Sequence, residues 1–274
     1  MSPQSPSPPP GRPVTVPDLA GFKRRGEKIV VVTAYDASFA AAADAAGIDV
    51  VLVGDSLGNV VQGHASTLPV TVDQMVYHTA CAARGLAHAL LIADMPFLAA
   101  RDVPSALANA RRLIGEGGAA MVKLEGAGWA CDVIRALAER DVPVCAHLGL
   151  TPQSVNKLGG YRVQGREDAA RERLRVAARD VQDAGADLLV LECVPATLAA
   201  EITRELRIPT IGIGAGVDCD GQVLVMYDLI GLAQGRRPRF VRNFLAGHDS
   251  IAGALGAYAS AVRAREFPAA EHCY

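Results

Sequence analysis

The sequence predicts an α/β fold, a single (β/α)8 TIM barrel with an N-terminal extension. Three observations predict it. Short apolar, β-rich runs alternate with helix-like segments along most of the 274 residues. The runs are continuously apolar, as strands covered on both faces of a parallel sheet must be. The length sits near the roughly 250 residues of a one-domain barrel. An open doubly wound sheet is the alternative that the same rhythm allows.

The expected strands are Ile29–Ala34, Val50–Val53, Ala89–Ala93, Ala120–Leu124, Val144–His147, Leu188–Leu191, Thr210–Ile213 and Gln222–Met226. Helices are expected between them at Ser38–Ala46, Val72–Arg84, Ser105–Ile114, Trp129–Arg140, Asp168–Ala184 and Thr197–Leu206. Gly47 stands just past the first of these, where a left-handed C-cap belongs. Gly-Ile-Asp, Gly-Ala-Ala and Gly-Ala-Asp recur before strands and read as short turns. Residues 1–16 are Ser/Pro-rich and lack the apolar stretch of a signal peptide, so a flexible tail is expected there, with 17–274 as the catalytic barrel.

Composition narrows the partners. A formal charge of −2, from 27 basic and 29 acidic residues, offers no basic field for a nucleic acid. No apolar run approaches the ~20 residues of a membrane span. Six cysteines occur without a Cys-x-x-Cys pair, several inside apolar segments, which points to the reducing cytoplasm rather than a disulfide or zinc framework.

Polar residues gather at the strand exits. The second run ends in Gly54-Asp55-Ser56, the third in Asp94, the fifth in His147 and the sixth in Glu192, while the fourth carries Lys123 and Glu125. Side chains two apart on a strand share a face, so Lys123 and Glu125 point the same way. A barrel brings all C-terminal strand ends to one mouth, which makes neighbours of residues far apart in sequence. Two long connections leave from that side, Gly54–Thr71 and Leu148–Glu167, and are expected to cover the site or contact substrate.

Asp55, Asp94 and Glu125 form an oxygen-rich set that suits Mg²⁺, with Mn²⁺ as a substitute, and substrate oxygens could complete its shell. Taken singly, each acid could merely cap a helix or pair with Arg. Lys123 is one of only four lysines and lies in an apolar run. Buried there it must have a charged partner or a shifted pKa. Binding a substrate carboxylate or oxyanion, pairing with Glu125, or forming a Schiff base are its three readings. Glu192 in apolar surroundings suits a general base; His147 is either a structural histidine or a helper. Ser56 can donate a hydrogen bond to substrate or serve a turn. Gly212-Ile213-Gly214-Ala215-Gly216 reads as a tight or closely packed turn, with a phosphate site the weaker reading. Together these residues suggest a Mg²⁺-dependent enzyme acting on a small 2-oxo acid.

Long phrases of the chain resemble the ketopantoate hydroxymethyltransferase family, also called 3-methyl-2-oxobutanoate hydroxymethyltransferases. They include Thr33-Ala34-Tyr35-Asp36, Leu52-Val53-Gly54-Asp55-Ser56-Leu57-Gly58, Val61-Gln62-Gly63-His64 and Ser66-Thr67-Leu68-Pro69-Val70-Thr71. Further phrases are Tyr77-His78-Thr79, Ala93-Asp94-Met95-Pro96-Phe97, Met121-Val122-Lys123-Leu124-Glu125-Gly126 and His147-Leu148-Gly149-Leu150-Thr151-Pro152-Gln153-Ser154. Gly159-Gly160-Tyr161, Leu191-Glu192-Cys193-Val194-Pro195 and the 212–216 glycine string complete a match over roughly residues 17–272.

The resemblance implies transfer of a hydroxymethyl group from 5,10-methylenetetrahydrofolate to 3-methyl-2-oxobutanoate through a Mg-stabilised enolate. The products would be 2-dehydropantoate and tetrahydrofolate, in pantothenate biosynthesis. It places Mg²⁺ on Asp55, Asp94 and Glu125, the last through water. It puts Ser56 and Lys123 on the substrate, Glu192 as proton acceptor and His147 beside it, and it implies a homodecamer built from two pentamers. A metal-dependent 2-oxo-acid aldolase or lyase that ignores folate is the nearest alternative, and a non-catalytic ligand-binding protein the alternative of another class.

Overall fold

The computed structural model describes residues 11–232 and 237–274. The strands are β1 (Ile29–Thr33), β2 (Val50–Val53), β3 (Leu90–Asp94), β4 (Met121–Glu125), β5 (Val144–Gly149), β6 (Leu188–Glu192), β7 (Thr210–Ile213) and β8 (Gly221–Leu224). They form a closed parallel barrel in chain order, with β8 pairing back on β1. The open-sheet alternative is thereby excluded. Branched apolar residues dominate the strands because each one is covered by the barrel interior on one side and by helices on the other.

The strand period of two sorts the interior into layers. Val31, Leu52, Ile92, Cys145, Leu188 and Ile211 pack a deep apolar layer. One step toward the C-terminal ends, the inward positions become Thr33, Asp94, Glu125, His147, Glu192 and Ile213, which line an open cavity. Lys123 spans the two layers, touching both.

The helices are α1 (Val16–Arg25), α2 (Ala37–Ala45), α3 (Leu57–Val60), α4 (Val72–Ala83), α5 (Val103–Gly115), α6 (Trp129–Ala138), α7 (Val155–Leu158), α8 (Asp168–Asp183), α9 (Ala196–Glu205), α10 (Met226–Leu229) and α11 (Ile251–Arg263). Local chemistry sets several starts. Asp36 accepts from the Phe39 amide at 2.9 Å, Asp102 from Ser105 at 2.7 Å, and Thr71 and Gln74 form a capping box. The aspartates of the pre-strand turns cap neighbouring strands, Asp49 on the Val30 amide and Asp187 on the Val144 amide.

Four features depart from the sequence expectation. Residues 1–10 of the expected tail lie outside the described residues, while the remainder is tied down: Val14 N–H donates to the His88 carbonyl at 2.7 Å and Thr15 caps α1. Arg12 adds an ion pair to Asp18 at 2.6 Å. The 214–220 link joins β7 to β8 without a helix. Met226, expected in a strand, opens α10 because its amide donates to the Thr33 hydroxyl at 3.0 Å. The unexpected α11 closes the β1–β8 seam, its Tyr258 hydroxyl lying 2.9 Å from the Val31 carbonyl and 3.0 Å from that of Gln222.

The glycine string at 212–216 is a packing device. Gly214 has φ +62, and a Cβ there would stand 3.0 Å from Phe240 and 3.1 Å from Tyr274. Gly149 is stricter still, with φ +93 and an added Cβ only 2.2 Å from the Glu192 carbonyl oxygen. Gly149→Ala is therefore expected to cost about 3 kcal/mol of stability, read as a lower urea midpoint at unchanged slope. An unaltered midpoint would show that the β5–β6 edge can move apart.

Candidate active site

The closed barrel brings the strand-end residues into one open cavity. Asp55, Ser56, Asp94, Lys123, Glu125, His147 and Glu192 all line it. The register explains the juxtaposition: Asp94 is level with Lys123 on β3–β4, and Glu125 with His147 on β4–β5. Asp55 follows directly on β2, and its backbone N–H approaches Asp94 Oδ2 at 3.4 Å.

Lys123 Nζ donates to Asp94 Oδ2 at 2.6 Å. Its partner is thus Asp94, not the Glu125 that sequence proximity suggested. Residues two apart on a strand stand side by side, whereas the register partner on the neighbouring strand faces the ammonium. Burial alone would lower the Lys123 pKa, but the charges of Asp94, Glu125 and Asp55 outweigh it and raise it. This direction and the 2.6 Å ion pair with Asp94 both favour the cation, whereas a Schiff base needs a neutral amine.

The carboxylates feel the opposite pressure. Burial, then the charges of Asp94 and Glu125, push Asp55 up to about 8. Burial likewise raises Asp94 despite the pull of Lys123. His147 is lowered by burial and by Lys123, yet its two glutamate partners win and lift it to about 9. Its Nδ1 lies 3.6 Å from Glu125 Oε1 and its Nε2 3.3 Å from Glu192 Oε2, so one cationic ring bridges two acids. These contacts are too long or bent for full hydrogen bonds. His147 is only 3% exposed, whereas the Glu192 side chain keeps 13% of its surface open to the cavity.

Gln153 went unread as a site residue. Its amide Nε2 donates to Asp55 Oδ2 and to the Met95 carbonyl, each at 2.9 Å, and its backbone N–H donates to Glu125 Oε2 at 3.1 Å. One neutral residue in the 148–167 connection thus fastens two acids, Asp55 through its side chain and Glu125 through its backbone N–H. That connection also carries a 3-10 turn at Pro152–Ser154 and α7, and places Tyr161 on the cavity wall. The 54–71 connection adds Asn59 and Thr67.

The donor chemistry fits a hard divalent cation. Asp94 Oδ1 and Glu125 Oε1 are buried carboxylate oxygens without a hydrogen-bond partner, a costly arrangement unless something positive meets them. Among the described residues no three acid, His or Cys side chains form a ready-made cage. Magnesium does not need one, since one or two carboxylates plus waters and substrate oxygens suffice. None of the six cysteines forms a disulfide. Among the described residues no helix is long and apolar enough to cross a membrane.

A barrel whose mouth concentrates buried acids around a cationic lysine is the architecture of an enzyme, with the chemistry confined to the C-terminal ends of its strands. Which enzyme class it serves is settled by comparison. Residues 13–270 match the family model described as ketopantoate hydroxymethyltransferase, and the chain belongs to that family. A 3-methyl-2-oxobutanoate hydroxymethyltransferase of Marinobacter nauticus is 59% identical over 95% of this chain and 98% of its own length. One of Xanthomonas campestris pv. campestris is 61% identical over 96% and 97%. Among solved structures, the phosphoenolpyruvate phosphomutase of Streptomyces platensis subsp. rosaceus superposes with a TM-score of 0.60 over 79% of this chain and 83% of that one. At 14% identity this last likeness concerns the fold alone.

Proposed function

We propose that this chain transfers a hydroxymethyl group from 5,10-methylenetetrahydrofolate to 3-methyl-2-oxobutanoate, giving 2-dehydropantoate and tetrahydrofolate in pantothenate biosynthesis. The observation that carries the reading is a pair of buried oxygens without a hydrogen bond, Asp94 Oδ1 and Glu125 Oε1, sharing one cavity with Lys123 and Glu192. The names of the relatives above supply the 2-oxo acid and the transferred group.

Asp55, Asp94 and Glu125 would hold Mg²⁺, Glu125 through water. When bound, the cation supplies Lewis acidity at the 2-oxo oxygen and lowers the cost of ionising C3. Lys123 provides a fixed positive charge for the substrate's oxygens, and Ser56 a hydrogen bond that orients them. Glu192 faces the cavity and takes the C3 proton. His147 stands behind it and holds its carboxylate in place. C3 then bonds to the one-carbon unit of the donor, and water supplies the hydroxyl as tetrahydrofolate leaves. Assembly as a homodecamer in the cytoplasm belongs to the same reading, and light scattering from a smaller particle would remove the decamer from it.

The test is direct. Metal-free protein is mixed with 3-methyl-2-oxobutanoate and methylenetetrahydrofolate, with and without Mg²⁺, and 2-dehydropantoate is followed by mass. Product is expected only in the complete mixture. Well-folded protein that makes none, or that turns over the 2-oxo acid without folate, overturns the proposal.

The raised Asp55 pKa adds a pH dependence. Below about 8 the metal-free site holds a proton there, and a cation must displace it. Mg²⁺ affinity is expected to fall about tenfold per pH unit below that value and to level off above it. Calorimetry in buffers of different ionisation enthalpy should show close to one proton released near pH 7. Affinity that ignores pH would show that Asp55 is ionised before the metal arrives.

A further inference from the structure

The cavity wall beside Asp55 has hydroxyl groups behind it that the mechanism above leaves unused. Tyr35 is buried at the exit of β1, with its phenol oxygen 2.8 Å from Ser56 Oγ. Thr33, two residues earlier on the same strand, lines the cavity. Thr33 Oγ1 in turn accepts the Met226 backbone N–H at 3.0 Å. Tyr35 itself is fixed on two further sides. Its carbonyl accepts from His78 Nδ1 at 2.7 Å, and its ring packs 6.0 Å from that of Tyr227.

We propose that Tyr35 and Ser56 form a directional hydroxyl relay that holds the Ser56 proton toward an oxygen of the 2-oxo acid, making Tyr35 a positioning residue for substrate binding. Each hydroxyl has one proton to give. The Tyr35 proton goes to Ser56, and the Ser56 proton faces the cavity. The reverse direction would turn a Ser56 lone pair toward an anionic substrate, next to Asp55. An anionic ligand therefore selects the first direction. A lone serine could rotate between donor and acceptor roles; one that is held by a phenol with no other outlet cannot do so without breaking a buried hydrogen bond.

The inference rests on the 2-oxo-acid reading of the site, and the test separates the two. Binding of 3-methyl-2-oxobutanoate to the Mg²⁺-loaded protein is measured by calorimetry, and KM and kcat are measured in parallel. Tyr35→Phe, which keeps the ring, is expected to weaken binding and raise KM about tenfold while kcat changes less than about twofold. Ser56→Ala should do the same, and the double variant should be no worse than Ser56→Ala alone, because both remove one interaction. Ser56→Thr, which keeps a hydroxyl for the phenol to hold, should bind better than Ser56→Ala, which keeps the proposal testable should Tyr35→Phe fold poorly. Wild-type protein that binds no 2-oxo acid overturns the functional reading and the relay with it. Normal wild-type binding with unchanged affinity in Tyr35→Phe, multiplying losses in the double variant, or equal binding by Ser56→Thr and Ser56→Ala overturns the relay alone.

Discussion

Asp94→Asn is expected to lower kcat/KM for the 2-oxo acid by about 10³-fold, at saturating Mg²⁺. The substitution preserves shape and removes one charge at the centre of the site. Asp94 is the hydrogen-bonded partner of Lys123 and presents the unpartnered oxygen Oδ1 to the cavity. Losing its charge therefore weakens cation retention and frees the ammonium from its fixed position. Folding should suffer less than activity, because Glu125 and Asp55 still surround Lys123 with negative charge. Steady-state kinetics and a urea titration on the same preparation separate the two effects. A kcat/KM within about tenfold of wild type would remove Asp94 from the metal site.

Glu192→Gln should leave substrate binding nearly intact and lower kcat by about 10²–10⁴-fold. The amide keeps the size of the side chain but cannot accept the C3 proton. Glu192 is favoured over His147 for that step on two grounds. It is the more open of the pair, and the two glutamates beside His147 raise its pKa, which disfavours the neutral imidazole that a base must be. A protonated imidazole cannot act as a base near neutral pH. If His147→Gln abolishes turnover while Glu192→Gln retains it, the roles are reversed.

Much of this site was legible in the sequence because the barrel turns strand order into spatial proximity. Asp55, Asp94, Lys123, Glu125, His147 and Glu192 each follow or end an apolar run, and a closed parallel sheet leaves such residues only one mouth to share. The strand ends themselves were readable to within two residues, because most of the buried runs stop where polar residues begin. What escaped depends on chain segments returning from a distance. Gln153 is neutral, lies in a long connection and acquires its role only when that connection folds back over β2 and β4. The partner of Lys123 required the register of β3 against β4, which no local pattern encodes. The helix at Val16–Arg25 was masked by the Ser/Pro-rich composition before it, although Thr15 and Asp18 carry a capping signal. The α11 helix is Ala/Gly-rich and shows weak apolar periodicity, so its place on the β1–β8 seam became visible only through Tyr258.

The proposed function requires the barrel mouth to remove the C3 proton of a 2-oxo acid. Exchange of that proton tests it without folate or product formation. In ²H₂O with Mg²⁺, wild-type protein should replace the C3 hydrogen of 3-methyl-2-oxobutanoate with deuterium, seen as loss of the C3 proton signal by NMR. Asp94→Asn and Glu192→Gln should both abolish the exchange, as should removal of Mg²⁺. Exchange at the wild-type rate in either variant, or none with well-folded wild-type protein, would contradict the assignment of this chemistry to these residues.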